Sequence, residues 1–271
     1  MHSFAQFFGA SGTSTIYSII SARSLTTNLV LCIDAADGSS YDGTSQTWID
    51  RTGTANFVRG TSTSSEGSDP TFSGVADAKS ANEYFSFDGS DRMDSASGAT
   101  WMNGIYKDNA TFTIIAGVYI PSGTIGLPVL GQAQGFSGVE GANFNVGGST
   151  SSYALEFKVY TSAGGSACSV TSTATATAGA WNFVAVDQNE ASSTGLNFQC
   201  NSTQQSGQNG TYTSPSAADF GSISIGYAST LSPTQQAGSR VAFVAVWSTN
   251  IGLTSINNLY TDIKAARAYG F

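Results

Sequence analysis

His2 is the single histidine among 271 residues. A Ser-His-Asp device and a histidine-ligated catalytic metal both need imidazoles placed inside a fold, so this scarcity argues against both. Charge is scarce too: Asp, Glu, Lys and Arg make up 10% of the chain, against about 25% in an ordinary domain. The balance is acidic, with 10 Lys and Arg against 18 Asp and Glu and a net charge of −8. The basic residues are scattered, and their longest grouping is Lys264 with Arg267. Clustered cations that neutralise phosphates are therefore missing, which argues against nucleic acid as a partner. No apolar run approaches the roughly 20 residues of a membrane span, so no membrane insertion is expected. The first residues show no Lys/Arg-rich start followed by a solid apolar stretch, and no signal peptide is read there. Cysteine is limited to Cys32, Cys168 and Cys200. They form no disulfide framework and have no metal-ligand spacing. Cys32 reads as a buried thiol inside an apolar strand, and a Cys168–Cys200 bridge is left open.

What the chain does hold is 31 glycines and abundant Ser and Thr, a composition suited to strands and tight turns. LVLCI from Leu29 is apolar on both faces, like a buried strand. YFSF (84–87) ends at the turn dipeptide Asp88-Gly89. FTIIAGVYI (112–120) stops at Pro121. YALEFKVY (153–160) alternates, which puts Tyr153, Leu155, Phe157 and Val159 inward and Glu156 and Lys158 toward water. WNFVAVDQ (181–188) and TGLNFQCN (194–201) lie a hairpin's length apart. RVAFVAVWS (240–248) is apolar on both faces, so its outer side needs a cover. The tail predicts one helix, with Thr254 as N-cap and Gly270 as terminator. Ile256, Leu259, Tyr260, Ile263 and Arg267 recur there at helical spacing. The expectation is an all-β fold: a two-sheet antiparallel jelly-roll sandwich over 29–271 with one C-terminal helix.

Residues 1–28 differ. Phe4, Phe7, Phe8, Ile16, Tyr17, Ile19 and Ile20 stand among Gly and Ser, and no helical period is read. A segment this apolar docks on something. Two surfaces fit, the chain's own sandwich or another subunit, and the expectation here is an attachment arm for another subunit.

Three stretches carry a resemblance. LVLCIDAADGSSYDGTSQTWIDRTGTANFVRG, PTFSG and YFSFDGSDRM resemble the opening of concanavalin A-like lectin/glucanase (laminin-G-like) jelly rolls. WNFVAVDQNEASSTGLNFQCNST resembles the middle hairpin of that family. RVAFVAVWSTNIGLTSINNLYTDIKAARAYG resembles its last strand and helix. Domains with this opening are frequent in structural proteins of tailed bacteriophages. The resemblance therefore implies a non-enzymatic virion protein, either a capsid decoration or head fibre or a tail appendage. It would be made in the host cytoplasm and exposed on the particle surface. It would form a symmetric homo-oligomer and be joined to other virion proteins through the arm. The alternative is a carbohydrate-binding module that recognises host surface glycans.

The chemistry agrees with a binder rather than an enzyme. Glycoside hydrolysis usually uses two carboxylates across a cleft, and the glucanases of this family place them in Glu-x-Asp-x-x-Glu. None of Glu66, Glu83, Glu140, Glu156 or Glu190 begins that motif. Trp101 and Tyr106 are the candidates for stacking on a sugar, weighed against a place in the core. Trp48 and Trp181 read as core residues. No cofactor is expected. Calcium is the lesser alternative at Asp34, Asp37, Asp42, Asp88 and Asp91, since Ca²⁺ takes six to eight oxygen ligands. In the main reading Asp34 and Asp50 accept backbone N–H groups at strand ends.

Overall fold

The computed structural model describes residues 14–95, 100–123, 126–132, 141–147, 153–161, 165–217, 223–226 and 237–271. Helix α1 spans Ile16–Ala22. The next strands are β1 (Leu29–Asp34), β2 (Thr47–Trp48), β3 (Phe57–Arg59), β4 (Thr71–Ser73), β5 (Tyr84–Ser86) and β6 (Met93–Ser95). A 3-10 turn over Thr100–Met102 leads into the short α2 (Asn103–Tyr106). Ten strands follow: β7 (Thr111–Ile120), β8 (Leu127–Gln132), β9 (Gly141–Val146), β10 (Ala154–Tyr160), β11 (Ser166–Thr175), β12 (Ala180–Asn189), β13 (Leu196–Cys200), β14 (Thr203–Gln208), β15 (Ile223–Ile225) and β16 (Arg240–Trp247). Helix α3 (Gly252–Arg267) comes last.

Two antiparallel sheets result. The first runs β14-β13-β12-β7-β16-β5-β4, with β1 also paired to β16; the second runs β11-β10-β9-β8-β15-β6-β3-β2. Period-2 alternation sends one face of each sheet into a shared core. Phe57, Phe85, Phe112, Phe144, Phe157, Val184, Phe198, Val244 and Val246 lie in it. Trp48 is fully buried there, 4.7 Å ring to ring from Phe85. On the outer face of the first sheet, Gly117 of β7 is registered with Phe243 of β16, whose ring lies over it so closely that an added Cβ would be 2.3 Å away. The three cysteines are all buried and free. Burial pushes Cys168 up to about 11 and Cys200 up to about 12.

The first sheet is buried on its outer face as well. Cys32, Ile115, Phe183, Ala245 and Trp247 meet Ile16, Ile19 and Ile20 of α1 and Ile256, Leu259 and Ile263 of α3. This is the cover that β16 required. The buried side of α3 is the one its spacing foretells: Ile256, Leu259, Tyr260, Ile263 and Arg267. Its ends differ from expectation. Thr254 lies inside the first turn, and the amides of Ile251 and Gly252 donate instead to Thr113 Oγ1 (3.0 Å) and Asp187 Oδ1 (3.3 Å) of the sheet below. Ala268, left-handed at φ 52°, ends the helix before Gly270 is reached.

The N-terminal boundary also moves. Thr15 caps α1, its Oγ1 accepting from the Ser18 amide at 3.1 Å. Ile16, Ile19 and Ile20 then fall at i, i+3 and i+4 on one face and are buried against the chain's own first sheet. Those three side chains cannot attach another molecule, and the body starts no later than residue 14. Tyr17 is half-buried beside them. Phe4, Phe7 and Phe8 lie outside the described residues.

Glu156 corrects a further expectation. It is on the outer face of the second sheet, yet buried. Lys158 Nζ stands 2.7 Å from its Oε1, while Oε2 has no partner among the described residues. Opposite it on β9 is Asn145, fully buried with neither amide atom hydrogen-bonded among the described residues. Outer does not mean wet here. An unpaired buried amide costs free energy that an apolar side chain of similar shape does not. Asn145→Leu is therefore expected to raise stability by about 1 kcal/mol, read as a later urea midpoint with an unchanged slope. An earlier midpoint would show that Asn145 has a partner.

Candidate functional site

The opening loop turns out to be architectural. Asp50, buried after β2, accepts from the amides of Cys32 (2.8 Å) and Thr52 (3.0 Å) on Oδ1, and of Thr54 (2.9 Å) and Ala55 (3.1 Å) on Oδ2. One carboxylate thus holds a turn that bends through Gly53 at φ 79° to the end of β1.

The calcium candidates are committed elsewhere. Asp34 lies 2.6 Å from Arg267 and accepts from the amides of Ile16 and Ala36. Burial pushes its carboxyl above the ordinary value, against the opposing pull of Arg267 and those amides. Asp37 pairs with Arg51 at 3.0 Å. Asp42 accepts from the Thr44 and Ser45 amides, and these bonds hold its carboxyl below the usual range. Asp88 caps Ser90, and Asp91, pushed up to about 6 by burial, accepts from the Asp88 amide. No group of three or more acidic, Cys or His residues gathers at metal-ligand reach among the described residues. The five carboxylates are spent on separate turns and ion pairs.

Trp101 and Tyr106 separate. Tyr106 is fully buried under α2, its hydroxyl donating to Asn103 Oδ1 at 2.5 Å, so it cannot stack on a sugar. Trp101 is half-exposed and lines a cavity of about 190 Å³ with Asp108, Asn109, Thr111, Trp247 and Ser248. The wall is built from two ends of the fold. Glu190, after β12, accepts from the Asn109 amide (2.8 Å) and the Tyr212 amide (3.0 Å), which pins the loop between α2 and β7. Trp247, at the end of β16, spends its indole N–H on Leu25 O (2.6 Å). The Trp101 indole N–H is buried and has no acceptor among the described residues, although a buried indole donor usually finds one. The cavity is smaller than the roughly 300 Å³ at which drug-sized pockets begin, so it suits a single ring. It offers the partly exposed Trp101 side chain and the exposed carboxylate of Asp108.

Glu156 faces Asn145 on β9 and Thr171 on β11, and neither flanking strand puts a second carboxylate opposite it.

Trp181 is not in the core between the sheets. It stands half-buried on the outer face of the first sheet, beside Tyr84 and Tyr119. Sequence reading missed this placement because Trp181 and its apolar neighbours look the same on either face of a strand.

No protein-family model matches the chain, and no curated protein matches it. Solved structures do. The receptor-binding domain of botulinum neurotoxin type G aligns at TM-score 0.55 and 12% identity over 87% of this chain and 51% of that one. The binding domain of botulinum neurotoxin DC, solved in complex with SialylT, aligns at TM-score 0.58 and 11% identity over 87% of this chain and 52% of that one. The Trypanosoma rangeli sialidase, solved with 2,3-difluorosialic acid, aligns at TM-score 0.52 and 15% identity over 87% of this chain and 33% of that one. The chain thus spans about half of the neurotoxin domains and a third of the sialidase. At these identities the likeness speaks for architecture alone: the chain has a lectin-like jelly-roll sandwich fold.

Proposed function

We propose that this chain is a non-enzymatic, lectin-like adhesion module that binds a glycan, with one sugar ring seated in the Trp101 cavity. The observation that carries the reading is the cavity itself, ring-sized and walled by the partly exposed Trp101. An aromatic face suits the C–H side of a sugar, and the Asp108 carboxylate and the Ser248 hydroxyl suit its hydroxyl groups. The likeness to a botulinum neurotoxin binding domain solved with SialylT, and to that of the type C toxin, whose cell entry depends on two ganglioside molecules, supports the same class of ligand. The resemblance seen in the sequence supports display on a tailed-phage particle, with Phe4, Phe7 and Phe8 left as the attachment residues.

A glycan array followed by calorimetry tests the binding claim. Saturable binding of a sugar is expected. Trp101→Ala should weaken it about fivefold or more through lost ring contact, and Trp101→Phe should recover part of the loss. An array with no bound sugar, or a Trp101→Ala protein that binds like wild type, refutes the reading.

A further inference from the structure

Four residues far apart in sequence form one row on the outer face of the first sheet. Trp181 of β12 is registered with Tyr119 of β7, Tyr119 with Arg240 of β16, and Arg240 with Ser86 of β5. Tyr84, two residues before Ser86, shares that face. The Arg240 guanidinium lies 4.4 Å from the Tyr119 ring centroid and 4.7 Å from that of Tyr84. Both distances are within the roughly 6 Å of a cation–π contact. Trp181 stands edge-on to both rings, at 5.6 Å from Tyr84 and 5.9 Å from Tyr119. All four side chains are half-buried, so each keeps an open side.

The guanidinium in this row is unlike the others. Arg23, Arg51, Arg92 and Arg267 each meet an aspartate. Arg59 donates to Pro70 O and Tyr41 Oη. Arg240 meets no carboxylate and makes no hydrogen bond among the described residues, in a chain with 18 acids for 10 cations. Its planar fork of five donors is held by rings alone. A guanidinium kept in place with its donors unspent fits a planar carboxylate in two-point contact. The surrounding net charge of −8 opposes a dianion such as a phosphate monoester more than a monoanion.

We propose that Arg240, held between Tyr84 and Tyr119, binds the carboxylate of an acidic sugar, with Trp181 beside it to contact the sugar's C–H face. The proposal rests on the glycan-binding reading for taking a sugar as the ligand, but not on the Trp101 cavity. Arg240 and Trp247 stand at opposite ends of β16, roughly 23 Å apart at strand rise, so the two spots are separate.

The test uses the full chain and three probes: a disaccharide ending in glucuronic acid, its methyl ester, and the matching glucose disaccharide. Calorimetry, with tryptophan fluorescence in parallel, should give tightest binding for the acid. Its affinity should fall as salt rises. Arg240→Gln should weaken it about tenfold or more. Arg240→Lys keeps charge without the fork and should fall between. Trp181→Ala should weaken acid and ester alike, because it leaves the guanidinium in place. Unfolding curves of each variant separate lost binding from lost fold. Equal affinity for acid and ester, or an Arg240→Gln protein that is folded and binds the acid like wild type, overturns the carboxylate spot even if the neutral sugar binds through Trp101. No binding of any probe, with a blank glycan array, overturns both readings.

Discussion

Asp50→Ala should destabilise the fold by about 3–4 kcal/mol, because four backbone amides lose their acceptor at about 1–3 kcal/mol for each one left dry. The donors do not suffer equally. Cys32 and Ala55 are buried, whereas Thr54 is exposed and Thr52 partly so, and the last two recover water. Asp50→Asn keeps one acceptor oxygen and should cost about half as much. Urea unfolding checks this, with both variants showing an earlier midpoint and the order Ala below Asn below wild type. A change under about 1 kcal/mol for Asp50→Ala, the range of ordinary surface substitutions, would mean that the turn between β2 and β3 holds without its carboxylate.

Arg267→Met carries the other large effect. Arg267 and Asp34 are both fully buried, 2.6 Å apart, and Arg267 also donates to Ser14 O at 2.9 Å. Removing one partner of a buried pair strands the other charge, which costs about 3–5 kcal/mol. For a chain of this length that is a fall of about 10 °C in Tm. The double variant Asp34→Asn, Arg267→Met removes the stranded charge and should be no less stable than Arg267→Met alone. The Asn oxygen still accepts one of the two amides that Asp34 now serves. Additive losses in the two single variants would show that the ions do not depend on each other.

These two residues also show what is legible in a single sequence. Local patterns carried far: the alternation in β10, the apolar run of β16 and the spacing of α3 all describe contacts along one element. Arg267 was marked as belonging to the buried stripe of α3 by that spacing alone. Asp50 was legible as a turn holder because Asp before a Gly turn has a local reason. What failed needed knowledge of the neighbour. The cap and spacing of α1 stand in the sequence as Thr15 and Ile16, Ile19, Ile20, but Gly and Ser around them hid the period. Glu156 was placed in water by an alternation that tells inside from outside, not dry from wet. Trp181 and Arg240 belong to a row drawn from β5, β7, β12 and β16, and only the register of three strand pairs brings positions 84, 119, 181 and 240 together. Trp101 was singled out as a candidate for stacking on a sugar, whereas the walls of its cavity, Thr111 and Trp247, lie on β7 and β16.

Leu29 is registered with Trp247, so β1 and β16 begin their ladder next to the places where α1 and α3 join them. Ser14 and Arg267 touch at the far side of those helices. A mechanical load applied between the two ends of the described body therefore meets no strand pair in shear. It first prises the helices apart and then opens the β1–β16 ladder rung by rung, like a zip. Resistance to force comes from the Arg267 clamp and not from the sandwich.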